Sequence, residues 1–331
     1  MKFSSLACLL LPAVLPALAE LQSRTYLTPP GSFKNLITLG DSYSDVTFSF
    51  TGGRQWPRFV EEYINGTLYP FASAGAVCTN NLTDRGPPFL PVMDAQVPMV
   101  AAAVQREGVA RGLPPSMSAD TLVTVWVGSN DLGVLLSSGF VINGTITVAQ
   151  TAQCAVSVVE SMYKLGARNF LFMNVPTLEK SILYGPDGVF YPNFYMTQEH
   201  DGMQVNLGIQ LLIAQQNYIT LSGLGMLAAT LDRAHIAYFD SYRLFTDIFR
   251  NPSGYLAGTP ELVKPAAPCT YPPNVDMMSV VPNCTLVADE ELDSYFWHDE
   301  LHVSEAIAKV IAKNVASVMN GKTNPYTLWL S

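Results

Sequence analysis

The chain reads as a three-layer α/β/α sandwich around a central, mainly parallel sheet. Short apolar runs rich in β-branched and aromatic residues recur along it, they are continuous rather than alternating, and helix-length segments separate them. A continuous apolar run suits a strand buried on both faces, and a repeated strand–helix–strand order requires parallel pairing with crossovers that cover the sheet. There is no internal repeat, low-complexity linker or charge block, so one domain over residues 32–331 is expected.

The strands are expected at residues 35–39, 68–72, 121–127, 169–174 and 235–239, the third (Thr-Leu-Val-Thr-Val-Trp-Val) being the clearest. Helical patterns fill residues 56–64, 148–165, about 197–231 and 304–319. In such a sheet the ligand crevice lies at the carboxyl ends of the strands, so the chemistry belongs in the loops that follow them.

Composition narrows the function. The chain has 331 residues, 49% hydrophobic and 14% charged, with 18 basic against 27 acidic side chains and a formal charge of −9. An acidic surface repels a phosphate polyanion, so no nucleic-acid partner is expected. Residues 1–19 carry one lysine, an apolar run interrupted by Pro12 and Pro16, and the ending Ala17-Leu18-Ala19. That is the pattern of a secretory signal peptide cut after Ala19, and it is too short and too broken for a stable membrane anchor. A secreted, extracellular chain then keeps Cys78, Cys154, Cys269 and Cys284. Four cysteines in an oxidising compartment imply two disulfides with three possible pairings. The Pro-rich, helix-poor stretch after Cys269 favours a local Cys269–Cys284 bridge, which leaves Cys78–Cys154. Asn65, Asn81, Asn143 and Asn283 each begin an Asn-x-Thr glycosylation triplet.

Three loops and one carboxyl-terminal segment carry chemistry. After the first strand comes Gly40-Asp41-Ser42-Tyr43-Ser44-Asp45, which places Ser42 at the crevice edge, before an expected helix whose amides favour an anion. The bland alternative is a turn or cap. After the second strand, Ala72-Ser73-Ala74-Gly75-Ala76 offers a glycine for close approach or for a bend. After the third, Gly128-Ser129-Asn130-Asp131 is a further polar block, or simply a turn. Near the end, Asp299 and His302 stand three apart, so one turn brings a carboxylate to an imidazole. That pair gives a serine alcohol the base it needs; otherwise Asp299 or Ser304 caps the last helix. His298 and His302 have zinc-helix spacing, but Asp299 stands where the metalloprotease motif has Glu and no third His follows. No metal is expected.

Taken together, the ordered blocks Gly40-Asp41-Ser42, the glycine block at Gly75, Gly128-Ser129-Asn130-Asp131 and Asp299-x-x-His302 resemble the GDSL, or SGNH, hydrolase family. The resemblance implies a flavodoxin-like fold and no cofactor. It implies Ser42 as nucleophile, His302 as general base and acid, and Asp299 as its orienter. The oxyanion hole would come from the Ser42 amide, the Gly75 amide and the Asn130 side chain. Two departures stand out: the glycine block is poor in glycine, and Val303 follows His302 where many relatives have proline. The wording around Ser42, together with Trp56 and the Phe296-Trp297 before Asp299, is most similar to fungal acetyl esterases of carbohydrate esterase family 16. That implies an acetylated oligosaccharide or small ester as substrate, with Tyr43, Trp56 and Trp297 either facing a sugar or lying in the core; a monomer is expected. Two alternatives stay open: an esterase for long acyl chains of the lipase or phospholipase type, and a catalytically silent carbohydrate-binding protein.

Overall fold

The computed structural model describes residues 32–47, 51–105, 113, 117, 120–186, 200–270 and 283–331. The leader reading of residues 1–19 therefore falls outside the described residues. Five strands run parallel: β1 (Asn35–Gly40), β2 (Thr67–Pro70), β3 (Thr121–Trp126), β4 (Asn169–Met173) and β5 (His235–Phe239). They lie in the order β2-β1-β3-β4-β5, the flavodoxin-like winding.

The helices are α1 (Trp56–Ile64), α2 (Val97–Gln105), α3 (Ser129–Ser137), α4 (Val148–Lys164), α5 (Gly202–Ala228), α6 (Ser241–Arg250) and α7 (Glu305–Met319). Beyond them the chain forms β6 (Glu261–Pro265) paired with β9 (Tyr295–Trp297), and β7 (Cys269–Thr270) paired with β8 (Asn283–Cys284). A last strand, β10 (Thr327–Trp329), closes the main sheet antiparallel to β5.

The strand pleat sorts the apolar runs into two cores. Leu36, Leu122, Leu171 and Ala237 face a layer containing Trp56 and Phe59 of α1, Leu244 and Phe245 of α6, and Ile307 and Ile311 of α7. Their neighbours Ile37, Val123, Phe170 and Ile236 face the opposite layer, with Val100 of α2 and Val158, Val159 and Met162 of α4. Each fully buried side chain of this size contributes about 1.5–3 kcal/mol. Burial on both faces is why the strand runs are continuous: all six residues of β3 are buried.

Several expectations shift. The second strand is centred earlier than residues 68–72, and the long helix is the capped segment α5, begun by Asp201 accepting from the Met203 and Gln204 amides. Residues 197–199 of that expected helix are outside the described set. Ser42 does not lead into a helix; it lies in a tight turn closed by Ser44 and Asp45 amides on the Asp41 carbonyl. The helix start that abuts this edge is α3, which begins just after Gly128. Disulfides join Cys78 to Cys154, tying the segment after β2 to α4, and Cys269 to Cys284 across the β7–β8 pair. Asn65, Asn81, Asn143 and Asn283 are all exposed.

Candidate active site

In the order β2-β1-β3, the chain leaves β1 on one side to make β2 and returns on the other to make β3. That reversal opens a crevice at the strand carboxyl ends. The Ser42 turn follows the central strand of the three, and the Gly75 and Asn130 segments follow its two neighbours. Sheet topology alone thus gathers three sequence-distant blocks.

Close approach of the strands requires glycine at Gly40. Its φ is +143°, and a Cβ there would lie 2.0 Å from the Trp126 carbonyl oxygen. Gln96 holds the same residue from both sides, accepting from the Gly40 amide at 2.9 Å and donating to its carbonyl at 2.8 Å. Gly75 has φ +71°, and the Phe89 ring fills the space where its side chain would be.

His302 reaches this edge from the carboxyl-terminal segment. Its Nε2 is 2.7 Å from Ser42 Oγ, and its Nδ1 is 2.7 Å from Asp299 Oδ2. Asp299 Oδ1 accepts from the Leu301 and His302 amides at 2.7 and 2.6 Å. The three-residue spacing therefore works through a tight side-chain-closed turn, not a helical one; Ser304 caps α7 instead, accepting from the Ile307 amide. Burial pushes the Asp299 carboxyl up, but the His302 charge and the bonds from His302 and Leu301 outweigh it, and the group is held below the usual carboxylate range. An ionised carboxylate only accepts, so Nδ1 carries the imidazole hydrogen and Nε2 offers its lone pair to the Ser42 hydroxyl. Ser42 and His302 are 7% and 3% exposed, so this pair works in a low dielectric. Both ring nitrogens of His302 are thus engaged, one by Asp299 and one by Ser42.

The loops that follow β2 and β3 bring further N–H groups to the same strand ends. Neither the Ser42 nor the Gly75 backbone amide has a hydrogen-bond partner among the described residues. Asn130 Nδ2 donates to the Ala76 carbonyl at 3.0 Å, which keeps one of its two hydrogens available. Asn130 lies in the first turn of α3, so the positive end of that helix dipole faces this edge. Uncommitted N–H groups beside a helix start are the kind of donors that suit an anionic oxygen.

Several supporting groups carry no mark in the sequence. Tyr43 donates its hydroxyl to the Leu301 carbonyl at 2.8 Å and so clamps the His302 segment onto the β1 loop. Asp45 Oδ2 accepts from the Ala74 amide at 2.6 Å, joining the first and second blocks. The Asp131 carboxylate accepts from the Cys78 amide and the Thr83 hydroxyl, joining the third block to the loop after the second. Asp41 is buried beside Ser42, and burial pushes its carboxyl up to about 7. Each partner is remote in sequence, so only the fold reveals the pairing. Tyr43, Trp56 and Trp297, which offered a flat face for a sugar ring, are core residues at 3% exposure or less. Trp56 belongs to the cluster under α1 and α7, where its bulk fills space between sheet and helix.

A family model described as GDSL-like lipase/acylhydrolase matches residues 36–315. An acetylesterase of Hypocrea jecorina is 29% identical over 341 residues, covering 91% of this chain and 93% of its own length. An acetylesterase of Thermothelomyces thermophilus is 27% identical over 225 residues, covering 61% of this chain and 71% of its own. Among solved structures, an acetylxylan esterase of Geobacillus stearothermophilus aligns over 89% of this chain and 97% of its own with a TM-score of 0.41 and 12% identity.

Proposed function

The chain belongs to the GDSL-like lipase/acylhydrolase family, and from that premise we propose that it is a secreted serine esterase removing short acyl groups, acetyl foremost, from esters of sugars. The observation that carries the reading is the continuous relay from Asp299 through His302 to Ser42 Oγ, two contacts of 2.7 Å each. In the proposed reaction, Nε2 of His302 takes the Ser42 proton as Oγ attacks the ester carbonyl. The oxyanion of the tetrahedral intermediate is received by the Ser42 and Gly75 amides and by Asn130 Nδ2. His302 returns the proton to the departing alcohol, which leaves an acyl ester on Ser42. Water, activated by the same imidazole, then releases the acid. Preorganised donors aimed at the developing charge supply much of the acceleration, and loss of one lowers kcat about 10²–10³-fold.

The acetyl preference is supported by the two fungal relatives, both acetylesterases, and by the resemblance to carbohydrate esterase family 16. The sugar portion rests on that resemblance. Secretion is supported by the residues 1–19 pattern and by the two disulfides. The test is hydrolysis of acetyl, butyryl and octanoyl chromogenic esters, and of acetylated xylo-oligosaccharides, by the wild type and Ser42→Ala. A steep fall beyond butyryl, with Ser42→Ala reduced by about 10⁵–10⁶-fold, is expected. Wild-type rates in Ser42→Ala would exclude the mechanism.

One observation favours the long-chain alternative. Helix α5 has no charged residue along Gly202–Ala228 and exposes Met203, Leu207, Leu211, Tyr218 and Met226 to solvent. These apolar side chains alternate with exposed Gln204, Gln210, Gln215 and Ser222, so the helix offers an uncharged, mixed surface to an apolar acyl substrate. A rate that rises with acyl length and with emulsified substrate would select that reading.

A further inference from the structure

We propose that Arg85 is the positioning residue of the oxyanion-binding loops, fixing with one guanidinium nitrogen the direction in which Gly75 and Asn130 present their donors. The inference rests on the esterase reading above and adds to it a residue outside the four sequence blocks.

Arg85 Nη1 donates to the Gly75 carbonyl at 3.0 Å and to Asn130 Oδ1 at 2.8 Å. A guanidinium is donor-only, so Asn130 must turn its oxygen toward Arg85 and its amide nitrogen away. That nitrogen then meets the Ala76 carbonyl with one hydrogen and keeps the other for a ligand. On the second loop, the bond to the Gly75 carbonyl fixes the peptide that follows Gly75. Asp45 Oδ2, accepting from the Ala74 amide at 2.6 Å, fixes the chain just before it. The Gly75 amide is therefore held between two anchors in a left-handed conformation at φ +71°.

The guanidinium itself is immobilised. It lies over the Phe89 ring, 4.2 Å from its centroid, and that same ring occupies the space beside Gly75. Its charge also reaches both neighbouring carboxyls, acting against the effect of burial at Asp41 and Asp131. A lysine has the charge but not the flat face that lies on Phe89 while two hydrogens of one nitrogen bridge two loops.

The experiment compares steady-state kinetics and melting temperature for the wild type, Arg85→Met, Arg85→Lys and Arg85→Ala, the last with and without millimolar guanidinium chloride, on a short acyl ester. The expected result is a kcat lower by roughly 10–100-fold in Arg85→Met, with KM changed by less than about twofold. Arg85→Lys recovers little of it, and added guanidinium restores part of kcat in Arg85→Ala. Wild-type kcat in Arg85→Met overturns the proposal. So does a kcat loss that merely tracks a lowered melting temperature and ignores guanidinium. Ser42→Ala, assayed beside them, separates the two readings. Residual wild-type activity there removes the esterase mechanism itself, whereas an inert Ser42→Ala with a fully active Arg85→Met removes only the role of Arg85.

Discussion

The Ser42 hydroxyl gains its proposed nucleophilicity from a neutral His302, and His302 stays in the useful tautomer because Asp299 accepts from Nδ1. Asp299→Asn keeps the shape but offers an amide that presents a hydrogen as readily as an oxygen, so the imidazole loses its preference. A fall in kcat of about 10⁴-fold with little change in KM is expected from steady-state kinetics. At this scale the sequence displayed Ser42, Asn130, Asp299 and His302 because short spacings mark them. It was silent on Tyr43 as a clamp and on Arg85, whose partners lie 258, 10 and 45 positions away.

Elements bring these residues together, and β1 and β3 meet closely at their carboxyl ends. Gly40 sits 2.0 Å, measured from an added Cβ, from the Trp126 carbonyl, at a φ of +143°. Gly40→Ala therefore strains the backbone by about 1–3 kcal/mol and also forces the two strands apart. A lower melting temperature together with lost activity is expected, because Ser42 rides on the displaced strand end; an unchanged melting curve contradicts this packing. The strands were legible because double-sided burial produces unbroken apolar runs. The short β10 was not, since Thr-Leu-Trp has too few residues to display a period. Helix α2 was hidden by being apolar all round, Val-Pro-Met-Val-Ala-Ala-Ala-Val-Gln. The signals for α6 do stand in the sequence: Asp240 caps it, and Leu244, Phe245 and Ile248 make one apolar face. The helix expected after Ser42 is replaced by a turn because Asp41 and Asp45 satisfy the local amides with their own carboxylates.

Across the whole molecule, buried carboxyls shape stability. Burial pushes Asp41 and Glu300 up to about 7 and Asp131 up to about 6. The folded chain thus binds protons that the unfolded chain releases between the ordinary carboxylate range and neutrality, so stability falls as pH rises through that window. Asp299 works in the opposite sense and lower down: held below its ordinary value, it contributes stability that is lost as pH drops beneath about 4. The melting temperature is expected to peak near the ordinary carboxylate range, at about pH 4, and to decline as pH rises to about 7. Calorimetry across pH 3–8 checks it, and a maximum above neutrality contradicts the burial argument. The two-core sandwich was legible from the alternation of elements, whereas the charge state of its interior was not, because burial is a property of the finished fold.

Trapping the intermediate tests the central chemistry most directly. Wild-type protein acid-quenched during turnover of an activated acetyl ester, digested and read by mass spectrometry, should carry the acetyl group on the peptide containing Ser42, and Ser42→Ala should carry none. Turnover without any acyl adduct on that serine, or an adduct on another residue that persists in Ser42→Ala, contradicts the mechanism.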